Sequence, residues 1–445
     1  MESNSRSICP KCLRDVDATV FEDGGRMFIR QECPEHGTSV SPHVFQDKQV
    51  YASMKSLLAI DPEDGEWSPD TAFLDVTGLC NMNCPDCFKP QGMVEEHPIS
   101  LEELVSTAAG FGGSIIYLFG GEPTMRDDLP GIIGELRSMG YHPSFFTNGI
   151  RLGSMDYASS FSRNKPLIVL SLDTLDAGQG IRLYGEEVVG KKMGALKNLL
   201  QLDIPVFLNV VLRDGVNEDQ VPGFIELLRR HRGRIRGLAF SSYWNPNGND
   251  AGRSVPASKS ADLVCMHLGT CLEDFLECTR FGFCFSQLMR KMSGRGGRRV
   301  SACYLRLYLV RMGDSLTPLN HLLDMQALSE RLSKISVSTD FNGKAGKAGA
   351  LVKTILAFLS SVRDARAILF MLPSASGLWK IIAENDHPIT MMLPQVCSII
   401  ANRYFDASNV DYEFMSCCSL GGFEGDRVVP FCLREVFRSR ESDNP

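Results

Sequence analysis

The chain has no basic excess, no uninterrupted apolar span and no apolar run in its first twelve residues. Its 46 Lys and Arg against 53 Asp and Glu leave a net charge of −7, so no global positive field exists to attract nucleic acid. The opening MESNSRSICPKC lacks the apolar centre of a secretory signal. The most apolar stretch, Ala350 to Leu372, is interrupted by Lys353, Arg363, Asp364 and Arg366. A cytoplasmic protein without a transmembrane span is expected. No internal repeat is present. With 44% hydrophobic and 22% charged residues, 40 Gly and 22 Pro, the composition is neither disordered nor collagen-like. A length of 445 residues excludes a disulfide-stapled mini-protein and allows several domains.

What the chain does have is cysteine: fifteen residues in four groups, with none from Phe88 to Val264. In a reducing compartment, clustered cysteines read as metal ligands rather than disulfides. Cys9-Pro-Lys-Cys12 and Cys33-Pro-Glu-His36 form two knuckles. A hairpin joins them, with Ala18 to Glu22 and Arg26 to Glu32 flanking the turn Asp23-Gly24-Gly25. C-x2-C followed after twenty residues by C-x2-H turns four ligands toward one tetrahedral centre. Residues 1–60 are therefore expected to be a metal ribbon holding zinc or a rubredoxin-like iron on Cys9, Cys12, Cys33 and His36.

Residues 61–70, DPEDGEWSPD, read as an acidic linker, with a new domain from about Thr71. Apolar runs at Ala72 to Thr77, Ser114 to Phe119, Pro143 to Thr147, Leu167 to Leu172, Val206 to Leu212 and Gly237 to Ser241 predict strands. Leu101 to Ala109, Leu129 to Met139, Lys191 to Leu202 and Asp219 to His231 predict helices between them. Six alternating units imply a parallel sheet over 71–245, in an open or partial barrel whose chemistry lies at the C-terminal strand ends. Ser242 to Ser260 marks a boundary. A linker and helical insertion at 246–302, with the basic loop RKMSGRGGRR at 290–299, leads to a C-terminal α+β domain at 303–445.

After the first predicted strand comes Cys80-Asn-Met-Asn-Cys84-Pro-Asp-Cys87. Three thiolates at C-x3-C-x2-C leave one iron of a 4Fe-4S cluster without a protein ligand, open to a cofactor. The second strand ends in Gly120-Gly121-Glu122-Pro123-Thr124, where glycines permit close backbone approach and a carboxylate is available to an ammonium group. Together the two motifs resemble the radical S-adenosylmethionine (radical SAM) superfamily, over Phe73 to about Ser241. The resemblance implies a partial (β/α)6 barrel in which Cys80, Cys84 and Cys87 hold the cluster and Phe88 lies near the adenine. Gly120, Gly121 and Glu122, with Pro123 in the same turn, would receive the methionyl ammonium. Asn148 in Thr147-Asn148-Gly149, Ser171 and Asp173 after the fourth strand, and Asn209 in the fifth occupy places where the family has SAM contacts. Each also has an ordinary reading as turn chemistry or a satisfied buried polar group.

The remaining cysteines are Cys265, Cys271, Cys278 and Cys284, whose helical spacing favours core packing, then Cys303, Cys397, Cys417, Cys418 and Cys432. A hairpin after Cys303, with Gly313 at its turn, resembles half of the auxiliary-cluster motif of peptide maturases, although Pro318 replaces its second cysteine. Cys417 or Cys418, Cys432 on the return of a second hairpin, and Cys303 or Cys397 are candidates for an auxiliary 4Fe-4S site. Only one of the two adjacent cysteines should face it. ICPKCL, QECPEHG, CNMNCPDC with GGEPT, and SCCSLGGFEGDRVVPFC together resemble tetraether lipid synthase and its relatives, across nearly the whole chain. That resemblance implies hydrogen abstraction from an unactivated carbon and C–C bond formation between lipid chains. It departs at 61–70, where the relatives carry a further cysteine motif. The alternatives are a methyltransferase acting on a pterin-like substrate and a peptide maturase. A non-catalytic iron-sulfur protein has no need of GGEPT. The expected partners are a small-molecule or lipid substrate and an electron donor such as ferredoxin or flavodoxin. Arg290, Lys291, Arg295, Arg298 and Arg299 offer peripheral contact with anionic headgroups, and any radical site calls for a dry, apolar pocket.

Overall fold

A computed structural model of the chain describes residues 2–60, 67–89, 99–231, 233–248, 252–293, 303–368 and 395–442. At the N-terminus, β1 (Glu2–Ile8), β2 (Asp15–Asp23), β3 (Arg26–Cys33) and β4 (Gly37–Asp47) make an antiparallel sheet in sequential order. β2 buries Val16, Ala18 and Val20 and exposes Asp15 and Asp17, the period-two pattern of a strand with one covered face. The predicted turn is present. Gly24 and Gly25 both take positive φ, +55° and +80°, as the favoured two-residue hairpin requires. The helix Lys48–Leu58 follows, its Val50 amide donating to the Asp47 carboxylate at 2.9 Å.

All six predicted core strands form: β5 (Thr71–Thr77), β6 (Ile115–Gly120), β7 (His142–Thr147), β8 (Ile168–Ser171), β9 (Val206–Leu212) and β10 (Ile235–Ser242). They are parallel and adjacent in sequence order, the outcome of helical crossovers between successive strands. The four predicted helices are also found, as Leu101–Ala109, Leu129–Ser138, Val189–Gln201 and Val221–Arg230. Local sequence sets their limits. The Glu103 amide donates to the Ser100 hydroxyl while the Ser100 amide donates to the Glu103 carboxylate, a capping box that starts the first helix.

The strands of the C-terminal segment join the barrel sheet rather than a sheet of their own. β11 (Tyr304–Met312) and β12 (Ser315–Pro318) form the hairpin expected around Gly313. β13 (Val396–Asn402) pairs antiparallel with β11 and parallel with β10. At the opposite edge, β14 (Leu420–Glu424) pairs parallel with β5 and antiparallel with β15 (Arg427–Pro430). Among the described residues the sheet has eleven strands, in the order β12-β11-β13-β10-β9-β8-β7-β6-β5-β14-β15. An open sheet leaves unpaired amides and carbonyls at both edges, and here one returning segment covers both. Its final helix, Phe431–Ser442, packs Phe431 against Phe73 with ring centroids 4.3 Å apart.

The helices Ala257–Leu268 and Leu272–Ser293 bury Cys265, Cys278 and Cys284 as expected, but Cys271, in the turn between them, is exposed. Arg290 is buried, and the Lys291 ammonium donates to the Ser336 carbonyl at 3.4 Å. Arg290 thus presents no surface to headgroups, and Lys291 is only partly exposed. Arg295, Arg298 and Arg299, most of the linker 61–70 and residues 369–394 lie outside the described residues. No described helix is long and apolar enough to cross a membrane.

Candidate functional site

The two N-terminal knuckles meet. The ligand atoms of Cys9, Cys12, Cys33 and His36 all lie within 4.8 Å of one another. His36 Nδ1 is 3.6 Å from Cys9 Sγ and 3.5 Å from Cys33 Sγ, and the Cys12 and Cys33 sulfurs are 4.0 Å apart. Ligands about 2.0–2.3 Å from a tetrahedral ion sit roughly 3.5–3.8 Å from each other, so these separations fit one metal ion. Arg14, bonding to Cys12, pulls that thiol down to about 6. Burial pushes Cys33 upward, but hydrogen bonds from the Glu35 and His36 amides and the His36 ring outweigh it. No disulfide joins any of the fifteen cysteines. Cys33→Ala is expected to lower metal content by one ion per chain without changing the iron held elsewhere, as read by elemental analysis of the whole protein. Unchanged metal content would show that this quartet binds nothing.

Because β5 to β10 are parallel, their C-terminal ends share one face, and every motif singled out in the core sequence lies there. The loop after β5 carries Cys80, Cys84 and Cys87. Cys84 and Met82 pack on Leu183, Tyr184, Val188 and Val189. Burial pushes the Cys84 thiol up to about 11, so a metal must displace its proton. The sulfurs of Cys80 and Cys87 lie within electrostatic range of it. Asn148, partly exposed just after β7, donates its side-chain amide to Asn81 at 2.7 Å and stands 3.9 Å from Cys80 Sγ. Three thiols on one short loop, with the polar ends of the neighbouring strands beside them, fit a three-point cluster attachment.

The glycines of the GGEPT turn have a different immediate partner from the one expected. A Cβ on Gly120 would stand 2.2 Å from the Thr77 carbonyl oxygen, and one on Gly121 would stand 2.3 Å from that of Leu79. Their lack of side chains lets the turn lie against the backbone that leads into the triplet. The Gly121 amide donates to Thr77 and the Glu122 amide to Leu79, at 2.8 and 2.7 Å. Glu122 is 1% exposed. It accepts four hydrogen bonds from the chain itself: the Thr124 amide (3.0 Å) and hydroxyl (2.6 Å), the Thr147 hydroxyl (2.7 Å) and the Asn148 amide (2.6 Å). It braces the ends of β6 and β7. Pro123 is buried at the start of a short 3-10 turn, Pro123–Met125.

Asp173 is likewise committed to the chain. It accepts from the Val211 amide at 2.9 Å and from Arg213 at 3.3 Å. Arg213 also donates to Asp86, inside the triplet at 3.1 Å, and Arg253 grips the other Asp86 oxygen at 2.6 Å. Burial opposes the charge on Arg213, but Asp173 and Asp86 hold its pKa above the ordinary value. Ser171 and Asn209 are partly exposed. Asn209 accepts from Ser241 at 2.8 Å, and Ser241 also donates to Asn402. Phe88 lies 5.1 Å from the Trp244 ring and 6.0 Å from Phe119.

Sequence inspection missed Asp86, Arg213, Arg253 and Lys192. Lys192 is 1% exposed, and its ammonium donates to the Asn148 and Ser171 carbonyls at 3.0 and 3.1 Å. Burial lowers its pKa, while Asp173, Cys84 and Glu122 oppose that shift. A signal was present: Ala195, Leu196 and Leu199, three, four and seven residues on, place Lys192 on the apolar face of its helix.

At the C-terminal cysteines the candidates divide. Cys303, Cys418 and Cys432 are buried within electrostatic range of one another. Cys432 lies on the helix Phe431–Ser442, not on a returning strand as expected. Cys417 is partly exposed. Cys397 is five residues along β13 from Asn402, which pairs with the neighbour of Cys303. That separation is about 16 Å, and the Cys397 thiol instead points at the Leu309 carbonyl.

Residues 74–228 match the radical SAM superfamily and residues 1–42 match the HMPTM N-terminal zinc ribbon domain. The 7,8-dihydro-6-hydroxymethylpterin dimethyltransferase of Methanocaldococcus jannaschii is 25% identical over 99% of this chain and 95% of its own. A probable GTP 3',8-cyclase of Pyrococcus abyssi is 30% identical over 33% of this chain and 49% of its own, so the match spans about half of that relative. The crystal structure of Streptococcus suis SuiB bound to S-adenosylmethionine is 17% identical, covering 44% of this chain and 46% of that one at a TM-score of 0.38. The chain is thus similar to radical SAM enzymes, whose core takes a 4Fe-4S cluster and S-adenosylmethionine, and its ribbon residues fit a metal ion.

Proposed function

We propose that this protein functionalises an unactivated carbon of a small planar heterocycle, transferring a methyl group from a separate methyl-donor molecule to a pterin-like ring. The observation that carries the reading is the aromatic wall behind the triplet. Phe88, Trp244, Tyr404, Phe431 and Phe73 make successive ring contacts at 4.3–6.2 Å, and Tyr117 and Phe146 continue the series. Aromatic faces seat a planar ring by stacking and keep water from a carbon-centred radical. The relative aligned over nearly the whole chain is named for a pterin.

When bound, the cluster supplies the electron that splits S-adenosylmethionine into methionine and the hydrogen-abstracting 5'-deoxyadenosyl radical. In this reading Cys80, Cys84 and Cys87 hold the cluster, while Gly120, Gly121 and Pro123 shape the turn that receives the methionyl group. Glu122 and Asp173 keep that turn and the β8 end in place rather than touching the cofactor. Phe88, Asn148, Ser171 and Asn209 border the space between cofactor and substrate. A one-electron donor of the ferredoxin or flavodoxin type reaches the exposed side of the triplet. Lipid C–C bond formation is kept as the second reading because Val352, Leu356 and Leu359, on one stripe of the helix Gly343–Leu359, are about half exposed or more (56%, 58% and 49%). The test is incubation of reconstituted protein with S-adenosylmethionine, dithionite and either a deuterated pterin or a deuterated lipid. Deuterium in 5'-deoxyadenosine from the pterin alone is expected. Deuterium from the lipid alone overturns the pterin reading.

Cys303, Cys418 and Cys432 are proposed as ligands of an auxiliary 4Fe-4S cluster. A variant lacking Cys80, Cys84 and Cys87 is expected to retain about four irons beyond any ribbon ion by this ligand count. Adding Cys432→Ala should remove them, and adding Cys397→Ala should not. Iron confined to the ribbon in the triple variant would eliminate the auxiliary site.

A further inference from the structure

Arg306, on β11, enters the interior without a carboxylate. Its Nη1 donates to the Tyr308 hydroxyl at 3.1 Å, and its guanidinium stands 4.8 Å from the Tyr304 ring centroid and 5.6 Å from that of Tyr308. Its Nε is buried with no hydrogen-bond partner. Among the described residues no Asp or Glu lies within ion-pair distance of it. Arg213 and Arg434, both buried, are by contrast paired, with Asp86 and Asp173 and with Asp75 and Glu435. A guanidinium largely withdrawn from water, with a buried Nε that has no acceptor and no carboxylate beside it, is costly to maintain, so a position like this one needs a reason.

Its surroundings supply one. Tyr117, on β6, and Tyr304 are electrostatic neighbours of Arg306, and protein surrounds all three. Each nevertheless retains accessible surface, and β6 and β11 stand six places apart in the strand order, so their side chains are neighbours across the lumen of the partial barrel. Burial pushes Tyr117 up to about 12 and raises Tyr304, so both phenols stay protonated and able to donate at neutral pH. No hydrogen bond from either hydroxyl is found among the described residues. Two unengaged phenols and a guanidinium are therefore donors lacking an acceptor. The aromatic wall described above runs from Phe88, next to Cys87, through Trp244 and Tyr404 to the electrostatic neighbourhood of Tyr117.

We propose that Arg306, Tyr117 and Tyr304 form an oxyanion-binding subsite in the lumen, taking a carboxylate or phosphate carried on an aromatic substrate body. The planar fork of an arginine matches either group with two parallel hydrogen bonds, and phenols supply further donors. The proposal rests on the reading of the lumen as the substrate chamber, and it names the end of the substrate that faces away from the triplet.

The probes are 2-naphthyl phosphate, 2-naphthoate and neutral 2-naphthol, titrated anaerobically into the reconstituted protein and followed by naphthyl fluorescence and calorimetry. At least one anionic probe is expected to bind ten or more times tighter than 2-naphthol. The phosphate-to-carboxylate preference then identifies which oxyanion the site takes. R306M should abolish that advantage while 2-naphthol binds as before. Equal affinity of the neutral and anionic probes for the unsubstituted protein overturns the proposal, whether or not R306M folds. An anion preference that persists in R306M overturns it too. Reductive cleavage of S-adenosylmethionine by the unsubstituted protein, measured alongside, tests the radical reading separately, so either can fail alone.

Discussion

Cys84→Ala is expected to release no 5'-deoxyadenosine from S-adenosylmethionine under anaerobic reduction, a loss of at least three orders of magnitude relative to the unsubstituted protein. Of the three triplet thiols it is the one packed against Leu183, Tyr184 and Val188, so its sulfur has the most constrained position. Two thiolates cannot hold a cluster that needs three-point attachment while leaving one iron open. The fold should survive, because alanine removes one polarizable atom from a small satellite cluster and not from the main core. Circular dichroism and iron content separate the two effects: unchanged helicity with the core iron lost. Product formation that persists in this variant would remove the assignment of Cys84 as a ligand.

Glu122→Ala has the largest expected effect on stability. The substitution leaves two backbone amides and two hydroxyls without the acceptor they share, at a position with almost no access to water. Each buried donor left unmade costs about 1–3 kcal/mol, and partial relaxation brings the expected total to about 3–5 kcal/mol. Urea denaturation should show it as a lowered midpoint with unchanged slope. Glu122→Gln keeps the oxygen that serves three donors and sets an amide against the Asn148 amide, so its cost should be about 1–2 kcal/mol. If the alanine variant matches the unsubstituted stability within about 1 kcal/mol, the carboxylate is not a brace. Its proposed pairing with an ammonium group would then regain force.

The C-terminal charges show why some of this was out of reach from sequence. Asp75 on β5 pairs with Lys89, Arg434 and Arg438. Burial alone would raise its carboxyl, but those three cations hold it below the usual carboxylate range. Two of the partners stand more than 350 positions away in the chain. Asp86 and Arg213 stand 127 positions apart, and Cys303 lies more than 110 positions from Cys418 and Cys432. Lys192 was nearer to legible, since its helical spacing set it among leucines. A lysine on an apolar face is ordinarily a residue that snorkels to water, whereas here two strand-end carbonyls accept its protons.

The sequence by itself determined what depends on near neighbours. The ribbon hairpin followed from two turn glycines, the six parallel strands from alternating apolar periods, and the triplet from three cysteines within eight residues. In each case the chemistry lies within one turn or one strand-helix unit, where spacing translates directly into position. Only the tertiary structure decided where the C-terminal segment goes, which acids are already engaged, and that Arg306 has no carboxylate partner among the described residues. Those outcomes depend on pairing between distant strands and on what each side chain meets after packing. Hydrophobic burial drives that packing without direction, so the partner of a charge emerges only from the assembled sheet.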